Sequence, residues 1–199
     1  MMSTNMFADP DESAAVDRLH ARLQAAAAAE GLLDIAYRTV DTPIGALLLA
    51  RTEVGLMRVA FAVEGHDAVL DKLADTVSPR ILRAPAGLDD TARQLDEYFA
   101  HQRTGFDVAM DLRLAQGFRR TVVEHLREIG YGKRESYADV ATAVGSPRAV
   151  RAVGTACARN PLPVVIPCHR VVRSDGSPGQ YAGGAATKLT LLDFEGSAA

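Results

Sequence analysis

The sequence predicts an α/β protein in two parts: an amino-terminal α/β domain with a small antiparallel sheet, and a mostly helical carboxy-terminal domain with a helix-turn-helix. Between residues 33 and 62, apolar residues alternate or run in short segments separated by turn residues, as is typical of strands. From Phe118 onward the apolar residues recur with helical spacing, and two short helical segments meet at a tight Gly-Ser-Pro connection. With 199 residues, of which 48% are hydrophobic, the chain can bury a sizeable core.

Breaks in these patterns divide the chain into five predicted segments. They are a helical extension at 1–31, the α/β domain at 32–112, a linker at 113–117, the helical domain at 118–196 and a tail at 197–199. In the extension, Asp9 is the expected N-cap of a helix, Pro10 its first residue and Gly31 its stop. We expect the extension to be dispensable, either as a docking helix or as a partly ordered tail.

The elements of the α/β domain are predicted from periodicity. Strands are expected at 33–40, 46–51 and 56–62, separated by turns that contain glycine. Helical spacing predicts helices at 67–77 and 89–100, and alternation predicts a further short strand at 106–112. The sheet of this domain is therefore expected to have three antiparallel strands.

The helical domain begins with a predicted helix at 118–129. Ser136 and Asp139 have the spacing of a capping box, which starts a second helix that ends near Gly145. A third helix is predicted at 147–158. The second and third helices form the predicted helix-turn-helix, with 147–158 as its recognition helix, although any helical hairpin produces a similar pattern.

Charge is distributed unevenly along the chain. The net charge is −3, but residues 118–196 carry 11 Lys and Arg against 7 Asp and Glu, whereas the rest carries 11 against 18. Such asymmetry is what a chain with one DNA-facing half shows. No stretch approaches the roughly 18 apolar residues of a membrane span, and the chain starts with acidic residues where a signal peptide has basic ones. We therefore expect a cytoplasmic protein that binds no membrane, in a reducing compartment.

A cysteine between a proline and a histidine is the feature that most directly predicts chemistry. Pro167, Cys168 and His169 follow an apolar run at 164–166, which we interpret as a buried strand that leads into a fixed turn. Such a strand would present the thiol from a rigid platform, and the adjacent imidazole supplies the base that a thiol needs to become a thiolate. The chain has only two cysteines, so a disulfide framework is not expected.

The residues around Cys168 resemble those of a known family. The matching segments are 151–154, 159–172 and 181–184, followed by Lys188, Leu191-Leu192 and Glu195-Gly196. Their order and spacing are similar to those of the O6-alkylguanine-DNA alkyltransferases, also called methylated-DNA–protein-cysteine methyltransferases. The resemblance is close over 106–196, loose over 32–105 and absent before that. It implies a winged-helix-like carboxy-terminal domain, and a DNA repair protein that flips O6-alkylguanine, or O4-alkylthymine, out of the duplex and transfers the alkyl group irreversibly, once, to Cys168.

The resemblance assigns the chemistry to five residues. Cys168 is the nucleophile, because a thiolate attacks saturated carbon far better than a hydroxyl does. His169 takes the thiol proton through a water, and Glu195 orients the imidazole as in the serine triads. Tyr137 donates toward guanine N3 and helps to rotate the nucleotide. Asn160 is the hinge between the recognition helix and the active-site strand.

The resemblance also implies DNA contacts and a substrate pocket. Arg151, with Ala152 beside it on the recognition helix, fills the gap left by the extruded base, because a planar guanidinium can bond the orphaned partner base. Tyr137 joins these two residues in DNA binding. The residues expected to line the pocket are Tyr181, Ala182, Val171 and Cys157. Cys157 is either a packing residue or a second reactive thiol.

No cofactor and no metal are expected. Because no cysteine precedes Cys157, the chain cannot hold the thiolate zinc site that some relatives carry near the N-terminus. The expected partner is double-stranded DNA bearing alkylated bases, bound by a monomer, with cooperative assembly on DNA left open. Three other functions stay open: a non-catalytic protein that flags alkylated bases, a regulator that senses alkylation through its thiol, and a thiol hydrolase.

Overall fold

The computed structural model of the chain describes residues 10–196 and confirms a mixed α/β architecture. The amino-terminal half contains helices α1 (Pro10–Ala29), α2 (His66–Thr76) and α3 (Asp89–Phe99) and strands β1 (Ile35–Val40), β2 (Leu47–Arg51), β3 (Leu56–Phe61) and β4 (Ile81–Arg83). The carboxy-terminal half contains helices α4 (Phe118–Leu126), α5 (Tyr137–Ala143), α6 (Val150–Ala158) and α7 (Gly184–Gly196) and strands β5 (Glu135–Ser136) and β6 (Val171–Val172). The predicted N-cap Asp9 and the predicted tail at 197–199 lie outside the described residues.

The main sheet has four strands in the order β3-β2-β1-β4, so the prediction of three strands was wrong by one. β1, β2 and β3 form the predicted antiparallel meander, and β4 pairs with β1 in parallel. A strand of three residues is too short to show the alternation by which the other three were predicted.

The strand predicted at 106–112 is not formed. Met110 makes one isolated parallel bridge, to Leu56 at the start of β3. Three residues further along β3, the amide of Val59 donates to Pro161 O (2.9 Å). The edge of β3 is thus occupied by another segment, and the 106–112 segment cannot extend its pairing there.

Helix α1 forms over nearly the predicted residues and contacts the end of β4 through polar side chains. His20 Nε2 lies 2.8 Å from Arg83 O, and Gln24 Nε2 donates to the same oxygen at 2.6 Å. Leu19 and Leu23, which belong to the apolar spacing that predicted this helix, are exposed. Neither core cluster of the described residues includes a side chain of α1.

The predicted helix-turn-helix corresponds to α5 and α6. Ser136 caps α5 as expected: its hydroxyl accepts from Asp139 N (3.1 Å), and its amide donates to the Asp139 carboxylate (2.9 Å). Helix α6 begins at Val150, three residues later than predicted, because Ser146 and Ala149 close a separate turn with an N–H to carbonyl bond of 2.8 Å.

A short parallel ladder, which the sequence did not predict, brings the helix-turn-helix next to the cysteine. Glu135 of β5 pairs with Val171 of β6, and Ser136 pairs with Val172. β5 directly precedes α5, and β6 directly follows a 3₁₀ turn at Cys168–Arg170. The ladder therefore holds the start of α5 beside the turn that carries the thiol.

The two halves of the chain share one hydrophobic core. Leu47, Val59 and Leu95 belong to the same buried cluster as Val122 and Ile166. A smaller cluster lies between the sheet and α2. Among residues 10–196, no helix has both the length and the apolar composition needed to cross a membrane.

Candidate active site

Cys168 is presented by a buried turn and not by a strand. An amide-to-carbonyl bond of 2.7 Å from Ile166 to Leu162 folds the segment back on itself, and Val164 takes the left-handed φ of 72°. Three prolines in the segment have no amide hydrogen, so it cannot pair along a sheet. The prediction of a strand at 164–166 was therefore wrong, and a proline-stiffened turn holds the thiol instead.

Asn160 lies at the start of this turn and holds it together. Its side-chain amide donates to Ile166 O (2.8 Å) and to Cys168 Sγ (3.1 Å), and its side-chain carbonyl accepts from Leu162 N (3.1 Å). The residue is almost fully buried. The asparagine predicted as a hinge thus contacts the thiol directly, and it links the end of α6 to the turn.

The thiol of Cys168 is protonated at neutral pH. Burial raises the pKa of Cys168 to about 11, although the hydrogen bond from Asn160 and the positive charge of Lys188 lower it in part. The thiolate, and not the thiol, is the nucleophilic form. A reaction at this sulfur would therefore require a base to remove the proton.

His169 and Glu195 form a buried pair. His169 Nε2 lies 2.9 Å from Glu195 Oε1, and the two residues are 0% and 1% exposed. Burial lowers the pKa of His169, and the hydrogen bond to Glu195 opposes that shift. The other ring nitrogen, Nδ1, is buried and has no hydrogen-bond partner in the part of the chain that the structure describes. The imidazole is therefore neutral, held through Nε2, with Nδ1 able to accept a proton.

Arg170 is a second buried partner of Glu195, and sequence reasoning did not include it in the site. Its guanidinium donates from Nε to Oε2 and from Nη2 to Oε1, each at 2.8 Å. Burial would raise the pKa of Glu195, but hydrogen bonds from His169 and Arg170 hold it well below its usual range. The ionised carboxylate can stabilise an imidazolium at His169. The sequence did contain a signal for Arg170 as a site residue, because it directly follows the Cys-His pair.

Tyr98 also contacts this carboxylate, and no sequence signal pointed to it. Its hydroxyl donates to Glu195 Oε1 at 2.7 Å, and Gly132 N donates to Oε2 at 3.2 Å. Tyr98 precedes Glu195 by 97 positions, so only the folded chain brings them together. Tyr98 belongs to α3, and the candidate site therefore includes a residue of the amino-terminal half.

Tyr137 and Lys188 form a second polar cluster. Lys188 Nζ donates to Val171 O (2.5 Å) and lies 3.5 Å from Tyr137 Oη. Lys188 is fully buried, and burial lowers its pKa, whereas a thiolate at Cys168 would raise it. Burial raises the pKa of Tyr137 to about 12, so its hydroxyl carries a proton at neutral pH. Gly179 permits this arrangement, because a Cβ there would lie 2.7 Å from Tyr137 Oη.

An open cleft of about 590 Å³ lies beside the loop that precedes α7. Tyr181 and Ala182, both predicted to line the substrate pocket, line this cleft. Val171 and Cys157, predicted for the same pocket, are buried and do not line it. The ring of Tyr181 meets that of His169 edge-on at 6.4 Å between centroids, so the cleft borders the buried pair. The full lining is Ala158, Arg173, Pro178, Gly179, Gln180, Tyr181, Ala182 and Ala185.

Helix α6 exposes the residues predicted to contact DNA. Arg151 and Ala152 are exposed, whereas Val153 and Cys157 are buried. Burial raises the pKa of Cys157 above its ordinary range. Arg151 is thus accessible to a partner molecule, and the second thiol packs in the core.

Family models match most of the described chain. Residues 35–112 match "6-O-methylguanine DNA methyltransferase, ribonuclease-like domain", and residues 117–197 match "6-O-methylguanine DNA methyltransferase, DNA binding domain". The methylated-DNA–protein-cysteine methyltransferase of Mycolicibacterium paratuberculosis is 40% identical over 161 residues, 81% of this chain and 92% of the relative. The constitutive methylated-DNA–protein-cysteine methyltransferase of Bacillus subtilis is 39% identical over 160 residues, 80% of this chain and 94% of the relative.

Solved structures share the fold. The crystal structure of Mycobacterium tuberculosis OGT in complex with DNA matches with a TM-score of 0.71 and 36% identity, and the match covers 82% of this chain and 94% of that chain. The O6-methylguanine-DNA methyltransferase of Pyrococcus kodakaraensis matches with a TM-score of 0.57 and 25% identity, over 81% of this chain and 99% of that chain. Helix α1 lies before the first residue that the family models match.

Proposed function

The chain belongs to the 6-O-methylguanine DNA methyltransferase family, and we propose that it repairs alkylated DNA by transferring an alkyl group from guanine O6 to its own Cys168. DNA is its partner. The observation that carries this proposal is a thiol held by Asn160 beside the buried pair of His169 and Glu195. These groups supply a nucleophile, a base for its proton and a carboxylate that orients the base.

The first step is removal of the thiol proton. His169 Nδ1 accepts this proton through a bridging water, and Glu195 stabilises the imidazolium that results. Asn160 donates to the sulfur, which favours the thiolate as it forms. The raised pKa of Cys168 keeps the thiol unreactive toward other electrophiles until the base acts.

The second step is an SN2 displacement at the alkyl carbon. The bond from carbon to Cys168 sulfur forms as the bond from carbon to guanine O6 breaks, and the bonding electrons leave with guanine. Tyr137, whose hydroxyl is protonated at neutral pH, donates toward guanine N3 and neutralises the departing base. A thioether has no easy leaving route, so each molecule acts once.

Access to the base requires that the nucleotide leave the duplex. Helix α6 presents Arg151 and Ala152 on its outer face, and the Arg151 guanidinium fills the gap that the extruded base leaves. Extrusion costs a few kcal/mol, and less for a damaged pair, so part of the selectivity lies in this step. The flipped base enters the cleft lined by Tyr181 and Ala182, where the small side chain of Ala182 leaves room for the alkyl group.

The protein acts as a monomer on double-stranded DNA that bears O6-alkylguanine, with O4-alkylthymine as a second substrate. It works in the cytoplasm, where a reducing environment keeps Cys168 as a thiol. Both of its cysteines are free, which is consistent with that compartment.

Mass spectrometry after incubation with an O6-methylguanine duplex tests the function. The protein should gain the mass of one methyl group, on the peptide that contains Cys168 and in a 1:1 ratio to repaired DNA. Cys168→Ser should gain nothing yet still bind the duplex, whereas the matched variant Cys157→Ser should be labelled like the parent. Lesion binding without any gain in mass would support the non-catalytic alternative, and label on Cys157 would show that the wrong thiol was chosen.

A further inference from the structure

Tyr98, in the amino-terminal half of the chain, contacts the buried pair of His169 and Glu195. Its hydroxyl donates to Glu195 Oε1 at 2.7 Å, and the same oxygen lies 2.9 Å from His169 Nε2. Within residues 10–196, the other hydrogen bonds to this carboxylate come from Gly132, His169 and Arg170. Tyr98 is therefore the one donor to Glu195 from the amino-terminal half of the described chain.

The position of the Tyr98 hydroxyl is fixed by packing. The residue is fully buried, and its ring packs against four others, with centroids 5.1 to 6.0 Å away: Phe99, Phe106, Tyr131 and Phe194. Burial and the charge of Glu195 raise the pKa of Tyr98 far above its usual value. The hydroxyl thus stays protonated, and toward a carboxylate it can act only as a donor.

We infer that Tyr98 is a positioning residue whose hydroxyl holds Glu195 Oε1 in line with His169 Nε2. In this way a residue of the amino-terminal half affects how readily His169 accepts the proton of the thiol. The inference rests on the proposed transfer to Cys168. A phenol that shares Oε1 with the imidazole withdraws part of the negative charge from that oxygen. Without the phenol, Oε1 would hold the His169 N–H more strongly, and the ring would take up a proton at higher pH.

The other ionisable groups around the imidazole come from the turn at 168–170, the loops that carry Tyr131 and Tyr181, and helix α7. Burial lowers the pKa of His169, the hydrogen bond and charge of Glu195 oppose that shift, and the charges of Arg170 and Lys188 add to it. Cys168, Tyr131 and Tyr181 are further ionisable neighbours of the pair among residues 10–196. Removing the Tyr98 hydroxyl changes none of these groups, so a shift in the titration of His169 would report on that hydroxyl.

The test compares Tyr98→Phe with Tyr131→Phe in the full chain. Tyr131 is a matched control, because its ring belongs to the same aromatic cluster while its hydroxyl lies 3.4 Å from His101 Nδ1. The rate of methyl transfer from an O6-methylguanine duplex to Cys168 is measured against pH. Tyr98→Phe should slow the transfer by about three- to tenfold and raise the midpoint of the acidic limb by about 0.5 pH unit. Tyr131→Phe should keep the parental midpoint.

A second measurement distinguishes an effect of Tyr98→Phe that is transmitted through Glu195 from one that is caused by a general loss of packing. In a Glu195→Gln background, Tyr98→Phe should change the rate by less than about twofold, because the carboxylate that transmits its effect is gone. A folded Tyr98→Phe protein with the parental midpoint would overturn the inference, and so would an equal shift in Tyr131→Phe.

A fluorinated protein covers the case in which Tyr98→Phe does not fold. Incorporating 3-fluorotyrosine at position 98 alone makes this phenol a stronger donor, so the midpoint should move to lower pH; an unmoved midpoint would overturn the inference. If the parent protein does not label Cys168 at all, the proposed function fails. If it does, and only the midpoints stay unmoved, the inference about Tyr98 fails alone.

Discussion

The side-chain amide of Asn160 donates a hydrogen bond to Cys168 Sγ across 3.1 Å, while the same nitrogen donates to Ile166 O. One residue just after α6 thus fixes both the turn and the sulfur that the turn presents. Glu195 likewise fixes the imidazole of His169 through the hydrogen bond to its Nε2. The thiol and the imidazole are therefore each held by a buried partner.

Replacing Glu195 should slow the chemical step without changing the acceptor. In Glu195→Gln the pair loses its charged end, and we expect transfer to Cys168 to fall about tenfold or more. Arg170 also loses its ionic partner, so the free energy of unfolding should fall, and rates are compared at equal folded concentration. Glu128→Gln is the control, because Glu128 is exposed on the same half of the chain. A rate within about twofold of the parent would remove Glu195 from the mechanism.

The element types were largely predictable, because local patterns determine them. Alternation located β1, β2 and β3, and the capping box of Ser136 and Asp139 located α5. Long-range pairing was not predictable. β4 and the ladder of β5 with β6 are two or three residues long, so they exist only through their partners. The 106–112 segment alternates like a strand, yet Pro161 O takes the place on β3 that it would need.

In the site, too, residues that follow a sequence pattern were predictable and long-range contacts were not. Cys168, His169, Asn160 and Glu195 were identified because their order and spacing follow a family pattern, and the structure brings them together. Lys188 was not identified as a site residue, since a lysine within a helix is ordinarily exposed. It is buried because its ammonium group donates to Val171 O in the middle of the site. No local property of a sequence shows such a contact.

Stability should fall on acidification. The pKa of His169 is lowered by burial from its ordinary value of 6.5, so below that pH the unfolded chain takes up a proton that the folded chain does not. Stability is thus full above about pH 6.5 and declines as pH falls toward the folded pKa, by up to about 1.4 kcal/mol per pH unit for this proton. The pKa of Glu195 is also lowered, so its contribution is lost at still lower pH, below its ordinary value of 4.5.

Urea unfolding between about pH 7 and pH 5 measures this decline. His169→Gln should flatten the slope in that range, whereas His20→Gln, on the surface helix α1, should leave it unchanged. A parental slope in His169→Gln would mean that other groups cause the acid sensitivity.

Deleting residues 1–30 should leave the kinetics of transfer unchanged. Among its described side chains, helix α1 contacts Arg83 O through His20 and Gln24 and contributes nothing to the site described above. We expect rates within about twofold of the parent and a small loss of stability, since two side-chain hydrogen bonds at the surface are worth about 1 kcal/mol each. A large loss of rate in a truncated protein that remains folded would show that α1 takes part in the function.

Replacing Arg151 separates access to the base from chemistry on it. Arg151 lies on the exposed face of α6, while the thiol and its base are buried in the core. If its guanidinium only stabilises the extruded nucleotide, Arg151→Ala should slow reaction with a lesion in duplex DNA roughly ten- to hundredfold, the equivalent of about 1–3 kcal/mol. Reaction with a free O6-alkylated guanine base needs no extrusion and should keep the parental rate.

Arg148→Ala is the matched control for the charge that Arg151→Ala removes, because Arg148 is also exposed and lies just before α6. Both variants lose one positive charge, so both should bind the duplex less tightly, by an amount that depends on salt. Both rate constants are therefore measured at one salt concentration. If Arg151 fills the gap left by the extruded base, only Arg151→Ala should have a lower rate of transfer at saturating duplex, where affinity no longer limits the rate. Equal losses on the duplex and on the free base would mean instead that Arg151 supports the fold or the pocket.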